Sequence, residues 1–203
     1  MKLYFSPGSC ALATQIALRE AEQEFQLIKV DFATKTTVEG DYFQVSAKGL
    51  IPALQLDDGD VLTESAVILQ WIADQHPQFK LLPVLGSRER YQAMQWLNYV
   101  ATDLHKGMAV IFSPFVDAES KARFAEGNLA GRFEYIEQHL ASNDYVLGED
   151  FSVVDAYLYN VLRWPVRVDI DMSPYTSIGQ FMDRMVQRPT VRAALKAEGL
   201  PVR

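Results

Sequence analysis

The sequence predicts two domains of different class, an α/β unit over residues 1–80 and an all-helical unit over residues 87–203. Three observations carry this. Short apolar strand-like runs alternate with helical periodicities in the first unit. Residues 79–87, holding Pro83 and Gly86, read as a linker. Beyond them strand signals nearly vanish, and apolar residues recur at helical spacing to the end of the chain.

In the first unit, residues 2–5 read as a strand, Ser6-Pro7-Gly8-Ser9 as a turn, and residues 11–20 as a helix with Leu12 and Ile16 on one face. Residues 26–31 form a second strand beside the first. Residues 53–57 form a third, and Asp58-Gly59 is a two-residue hairpin signal leading to a partner at Val61-Leu62. Residues 63–76 are a helix with Ala66, Leu69, Ile72 and Ala73 in register. A β-α-β unit followed by β-β-α is the outline of a thioredoxin-like domain.

In the second unit helices are expected over residues 88–112, 121–140, 152–163, 178–188 and 191–198. The first of them carries an apolar seam of Met94, Leu97, Ala101, Leu104 and Met108, read as core. Beside it runs a polar stripe of Tyr91, Gln95, Asn98, Thr102 and His105, ending at His105-Lys106, a pair suited to an anionic partner. His76 and His139, near helix ends, read as surface residues. Ser152-Val153-Val154-Asp155 is a capping box, a folding device with no chemistry of its own.

A length of 203 residues suffices for a sizeable core, and the composition, 49% hydrophobic and 22% charged, is that of a globular protein. The net charge of −7 argues against nonspecific nucleic-acid binding and against attraction to an anionic membrane. No apolar run is long enough to span a bilayer, and Pro7, Gly8 and Ser9 interrupt any signal-peptide pattern. The single cysteine excludes an intrachain disulfide, so a cytoplasmic location is the expectation. One cysteine and scattered histidines provide no metal-ligand spacing, and no phosphate-binding glycine loop occurs.

Three places could carry chemistry. Ser9 as N-cap would put Cys10 in the first turn of a helix, where unpaired N–H groups favour an anion. Thiols at such positions can have pKa values lowered to roughly 3.5–7.5. On the residue alone a small buried hydrophobe is the favoured reading. Ile51-Pro52 enters the third strand. A cis bond there would turn the Ile51 backbone outward to pair with an extended peptide ligand; a plain turn proline is the alternative. Glu64-Ser65 opens a helix, so the hydroxyl and free N–H groups could take a ligand carboxylate while Glu64 takes a neighbouring ammonium.

The S-P-G-S-C turn, the I-P before the third strand, the E-S-A-V-I-L helix start and the helical second domain together resemble the cytosolic glutathione S-transferases. The stretch L-N-Y-V-A-T-D-L-H-K-G from Leu97 to Gly107 resembles the bacterial beta class in particular. The resemblance spans essentially the whole chain. It implies the glutathione transferase fold, a detoxifying conjugation of glutathione to apolar electrophiles, glutathione as co-substrate with no metal, and a homodimer. By the same resemblance Cys10 and His105 would lie at the glutathione sulfur. Ile51 would pair with the cysteinyl backbone beside cis-Pro52, Glu64 and Ser65 would hold the γ-glutamyl end, and Lys35 would reach the glycyl end. Asn98, Thr102, Asp103, Leu104, His105 and Lys106 would line the site, some from the partner subunit, and the electrophile pocket would lie between the domains.

The class commonly has tyrosine where this chain has Phe5. Tyr4, one place earlier, points to the opposite face of its strand, which shifts weight to Cys10 and His105. Two alternatives to conjugation stand beside it. One is thiol-disulfide or peroxide reduction through a mixed disulfide at Cys10, with glutathione as the resolving thiol. The other is a noncatalytic protein that binds glutathione and apolar ligands.

Overall fold

The computed structural model describes residues 1–202. Six strands form one mixed sheet: β1 (Lys2–Phe5), β2 (Gln26–Asp31), β3 (Thr36–Thr37), β4 (Gly40–Asp41), β5 (Ala53–Gln55) and β6 (Val61–Thr63), in the spatial order β4-β3-β2-β1-β5-β6. β1 pairs in parallel with β2, Lys2 opposite Gln26, and antiparallel with β5, Leu3 opposite Leu54. Helix α1 (Ala11–Glu20) makes the parallel crossover and packs on β1 and on α2 (Ser65–Gln75). Tyr4, Val30 and Ala53 lie together on one face with Tyr42, forming a small core joined by the half-buried Ile51. The thioredoxin-like outline thus stands, extended by the two short strands β3 and β4.

Three local expectations are corrected. Thr63 belongs to β6 rather than to a helix, and α2 starts at Ser65. The turn between β5 and β6 is not a two-residue hairpin. The Leu56 N–H donates to the Asp60 carbonyl at 2.8 Å across three residues, because Gly59 takes φ +96 and the Asp58 carboxylate accepts the Asp60 N–H at 3.0 Å. Neither His76 nor His139 is a surface group: each is half-buried, with a ring nitrogen on the Ile72 and Val146 carbonyls respectively.

The second unit, Pro83–Met185, is helical. Its first long run is α3 (Arg88–Tyr99), a π-helical segment (Val100–His105) and α4 (Lys106–Phe112). The next is α5 (Ala118–Phe124), a second π segment (Ala125–Leu129) and α6 (Ala130–Leu140). This run starts three residues earlier than expected because Asp117 accepts the Ser120 N–H at 2.9 Å and caps it. Met94 is 40% exposed, and the buried face of α3 runs instead through Ala93, Leu97 and Val100, continuing to Leu104 and Met108. Gly107 leaves room for its neighbours: a Cβ there would lie 2.7 Å from a Leu129 methyl and 2.5 Å from the Arg132 guanidinium, so those side chains would have to shift.

Helix α7 (Val153–Leu162) is buried along its whole length, and its expected capping box is present. Asp155, fully buried, accepts from the Val146 N–H at 2.7 Å and from the Ser152 N–H and Oγ–H at 2.8 Å each. Burial pushes its carboxyl up to about 6 despite these three donors. Helix α8 (Thr176–Gln187) follows.

The last helix, α9 (Pro189–Glu198), departs from the expected division. The segment from Val186 onward packs with the first unit, not with the helical one. Contacts with α1 explain this. The Glu20 carboxylate receives the Arg188 guanidinium through two hydrogen bonds, of 2.8 and 2.7 Å, and the Thr190 hydroxyl through a third. No helix among the described residues is long and apolar enough to cross a membrane.

Candidate active site

Cys10 sits at the cap position of α1 in αR conformation, one place earlier than the first turn expected for it. Ser9 is not a strong cap, since its Oγ lies 3.4 Å from both the Ser6 and Ala11 N–H groups. The Cys10 side chain is 7% exposed, and its S–H donates to the Ile51 carbonyl at 3.0 Å. The Ile51-Pro52 bond is cis, the arrangement under which the Ile51 backbone was expected to face a ligand.

The segment 48–52 gathers most of the other residues singled out in the first unit. Three successive carbonyls receive side-chain donors: Gly49 from Lys35 Nζ at 2.9 Å, Leu50 from the Tyr42 hydroxyl at 2.8 Å and the Ser46 hydroxyl at 3.5 Å, and Ile51 from Cys10. Just before them, Lys48 Nζ pairs with the Glu64 carboxylate at 2.6 Å. Gly49 makes the bend possible: its φ is +59, and a Cβ would strike the Phe43 ring at 2.7 Å. Lys35 also has positive φ, +56, and its ammonium lies 3.2 Å from the centre of the Phe32 ring. Partial burial lowers the Lys35 pKa from its ordinary value. Burial pushes the Tyr42 hydroxyl up to about 12, and charge at Cys10 acts in the same direction.

Glu64 holds φ +69, a backbone conformation L-residues rarely adopt, immediately before α2. It is therefore the cap residue and Ser65, buried, is the first residue of the helix. Tyr4, on the face away from Phe5, donates its hydroxyl to Glu39 at 2.9 Å, and burial together with that carboxylate raises it to about 12. Its hydroxyl is committed there.

Two residues that sequence reasoning missed hold the Cys10 turn from behind. Glu198 of α9 is 7% exposed, and its carboxylate accepts the Gly8 N–H at 2.8 Å and the Gln15 amide at 3.0 Å. Gln15 accepts in turn from Arg19 at 3.3 Å. Nothing in the local sequence links positions 190 residues apart; only the periodicity of the last helix hinted that Glu198 faces inward.

Within the second unit the residues expected to line the site fall into separate groups. Asn98, Thr102 and Asp103 belong together: the Thr102 hydroxyl lies 3.0 Å from the Asn98 carbonyl and 2.9 Å from the Asp103 carboxylate. Asn98 and Asp103 also line a cavity of about 330 Å³ with Gln95, Trp96, Tyr99 and Tyr135. Arg132 bonds the Asp103 carbonyl and pairs with its carboxylate at 3.7 Å. His105 is set apart, with Nδ1 2.8 Å from the Tyr157 hydroxyl and its ring 4.8 Å from that of Trp164. Lys106 is exposed, whereas the Leu104 side chain is fully buried and cannot line a ligand site.

A thioredoxin-like sheet with a cysteine at the start of α1, a cis-proline before β5 and a helical second unit define the class of the glutathione transferase fold. Residues 7–75 match the family model of the glutathione S-transferase N-terminal domain, and residues 99–189 that of the C-terminal domain. The glutathione S-transferase GstA of Escherichia coli O157:H7 is 43% identical over 201 residues, covering 98% of this chain and all of its own. A sphingomonad glutathione S-transferase complexed with glutathione superposes with a TM-score of 0.94 at 44% identity, covering 99% of this chain and 100% of that one. The bacterial beta class glutathione S-transferase of Sphingomonas chungbukensis superposes with a TM-score of 0.94 at 42% identity over 99% of this chain and 100% of that one. The chain belongs to the glutathione S-transferase family, and within it to the bacterial beta class.

Proposed function

We propose that this transferase holds glutathione on the segment 48–52 and the start of α2, and directs the glutathione thiolate at small apolar electrophiles. One observation carries the reading: Cys10 and Glu64, each read from its own local sequence, and Lys35, implied by the family resemblance, converge on that segment. The Ile51 backbone pairs with the cysteinyl part of glutathione beside Pro52. Ser65 and the first N–H groups of α2 take the γ-glutamyl carboxylate, and Glu64 takes its ammonium. Lys35 takes the glycyl carboxylate.

Energetics favour exchange of the existing partners. The Lys48–Glu64 pair is more than half exposed on both sides, and such pairs contribute about 0–1 kcal/mol. A ligand ammonium can therefore replace Lys48 at little cost. The Cys10 S–H is a weak donor, so a ligand N–H competes well for the Ile51 carbonyl.

Asn98, Thr102, Asp103, His105 and Lys106 are the candidate ligand contacts of the second unit. Their division into two groups suits contributions from two copies of the chain, and a homodimer is proposed on that ground. A cytoplasmic role in detoxification accords with the family and with a chain that holds one cysteine.

The test is conjugation of glutathione to a chloro-nitrobenzene, in the native protein and in Cys10→Ala. Activity in both, with loss of any glutathione-dependent disulfide reduction in the variant, assigns conjugation to the glutathione sulfur and redox work to Cys10. Absence of conjugation in the native protein overturns the reading. A monomeric mass by light scattering overturns the dimer.

A further inference from the structure

The His105 ring packs against Tyr157, which is 2% exposed, and against Trp164, 6% exposed. Both rings meet the imidazole edge to face, at 6.0 Å and 88° for Tyr157 and 4.8 Å and 73° for Trp164. Trp164 is itself packed against Phe112 at 6.0 Å. The imidazole plane is thus set by aromatic packing, and its Nδ1 lies 2.8 Å from the Tyr157 oxygen.

A hydrogen bond between a neutral imidazole and a phenol can run either way. Imidazole nitrogen, whose conjugate acid has a pKa of about 6.5, is a much stronger base than a phenol oxygen, and phenol, with a pKa of about 10, is the stronger acid. The favoured direction is O–H to Nδ1. We propose that Tyr157 is a positioning residue for His105: its hydroxyl donates to Nδ1, so the single proton of the neutral imidazole resides on Nε2. This rests on the reading of His105 as a group at the glutathione sulfur. It settles the role of His105 in that reading. A ring with Nε2–H is a hydrogen-bond donor to a thiolate, not the base that removes the thiol proton.

The chain has three histidines, which makes the proposal directly measurable. Nitrogen-15 spectra at neutral pH distinguish protonated ring nitrogens from unprotonated ones. Two rings serve as internal references because a carbonyl can only accept: His76 faces the Ile72 carbonyl through Nδ1 at 2.9 Å, and His139 faces the Val146 carbonyl through Nε2 at 2.8 Å. His105 is expected to carry its proton on Nε2 in the native protein and to become a mixture of tautomers in Tyr157→Phe. That variant should also lose about five- to tenfold in kcat for conjugation, the worth of one hydrogen bond, with KM for glutathione within about twofold.

A native His105 protonated on Nδ1 overturns the proposal. So does a Tyr157→Phe variant with an unchanged His105 signature while His76 and His139 keep theirs. If the variant disturbs His76 and His139 as well, the native tautomer alone decides. A native protein with the expected tautomer but no conjugation activity would sink the functional reading and leave the hydrogen-bond assignment standing.

Discussion

Replacing Asp155 by asparagine should change how stability depends on pH. In the native fold the Asp155 carboxyl titrates at about 6, because complete burial outweighs the donors from Val146 and Ser152. In the unfolded chain an aspartate titrates near ~3.9. The folded value is the higher one, so between the two the native state binds more protons than the unfolded state. Stability attributable to this group is therefore fully present below pH ~4 and is lost as pH rises through about 6. A shift of about two units at ~1.36 kcal/mol per unit amounts to roughly 3 kcal/mol.

Asparagine has the same shape, keeps an acceptor oxygen and does not titrate. The difference in unfolding free energy between the native protein and Asp155→Asn should accordingly change by up to roughly 3 kcal/mol between pH 4 and 7, with the native protein relatively weaker at pH 7. Urea titrations at several pH values measure it. A difference that is flat with pH, or one that moves toward the native protein as pH rises, would refute the reasoning. The second result would mean that the three donors outweigh burial.

Other substitutions probe the site's supports. Glu198→Ala removes the acceptor shared by the half-buried Gly8 N–H and the buried Gln15 amide, at about 1–3 kcal/mol for the buried donor and less for the other, partly offset by removal of a desolvated charge. We expect a loss of about 2–3 kcal/mol and faster alkylation of Cys10 as its turn loosens; an unchanged alkylation rate would count against the clamp. Lys48→Ala should lower KM for glutathione by about two- to fivefold, since it frees Glu64 from an exposed pair worth at most ~1 kcal/mol; a raised KM would contradict the exchange. Gly107→Ala forces a methyl against Leu129 and Arg132 and should cost about 1–3 kcal/mol by thermal unfolding, whereas a neutral result would show that both neighbours can yield.

Much of this was readable in the sequence, and the failures are instructive. The Cys10 turn, the proline before β5 and the capping box of α7 announce themselves because each depends on residues within a few positions of one another. β3 and β4 are two residues long each, too short to show any alternation. Leu97, Leu104 and Met108 of the expected seam are core, whereas Met94 and Ala101 give way to Ala93 and Val100, apolar neighbours between which periodicity cannot choose. Glu198 and Tyr157 are legible only in three dimensions. Their partners, Gly8 and His105, lie 190 and 52 residues away in the chain.

The most direct test of the central claim is calorimetric titration of glutathione into the native protein and into Glu64→Ala and Lys35→Ala. Glutathione should bind the native protein, with affinity falling about ten- to a hundredfold in each variant, as expected for the loss of a hydrogen bond to a charged group. Uptake by both variants equal to that of the native protein would place the site elsewhere. Absence of binding to the native protein would contradict the account altogether.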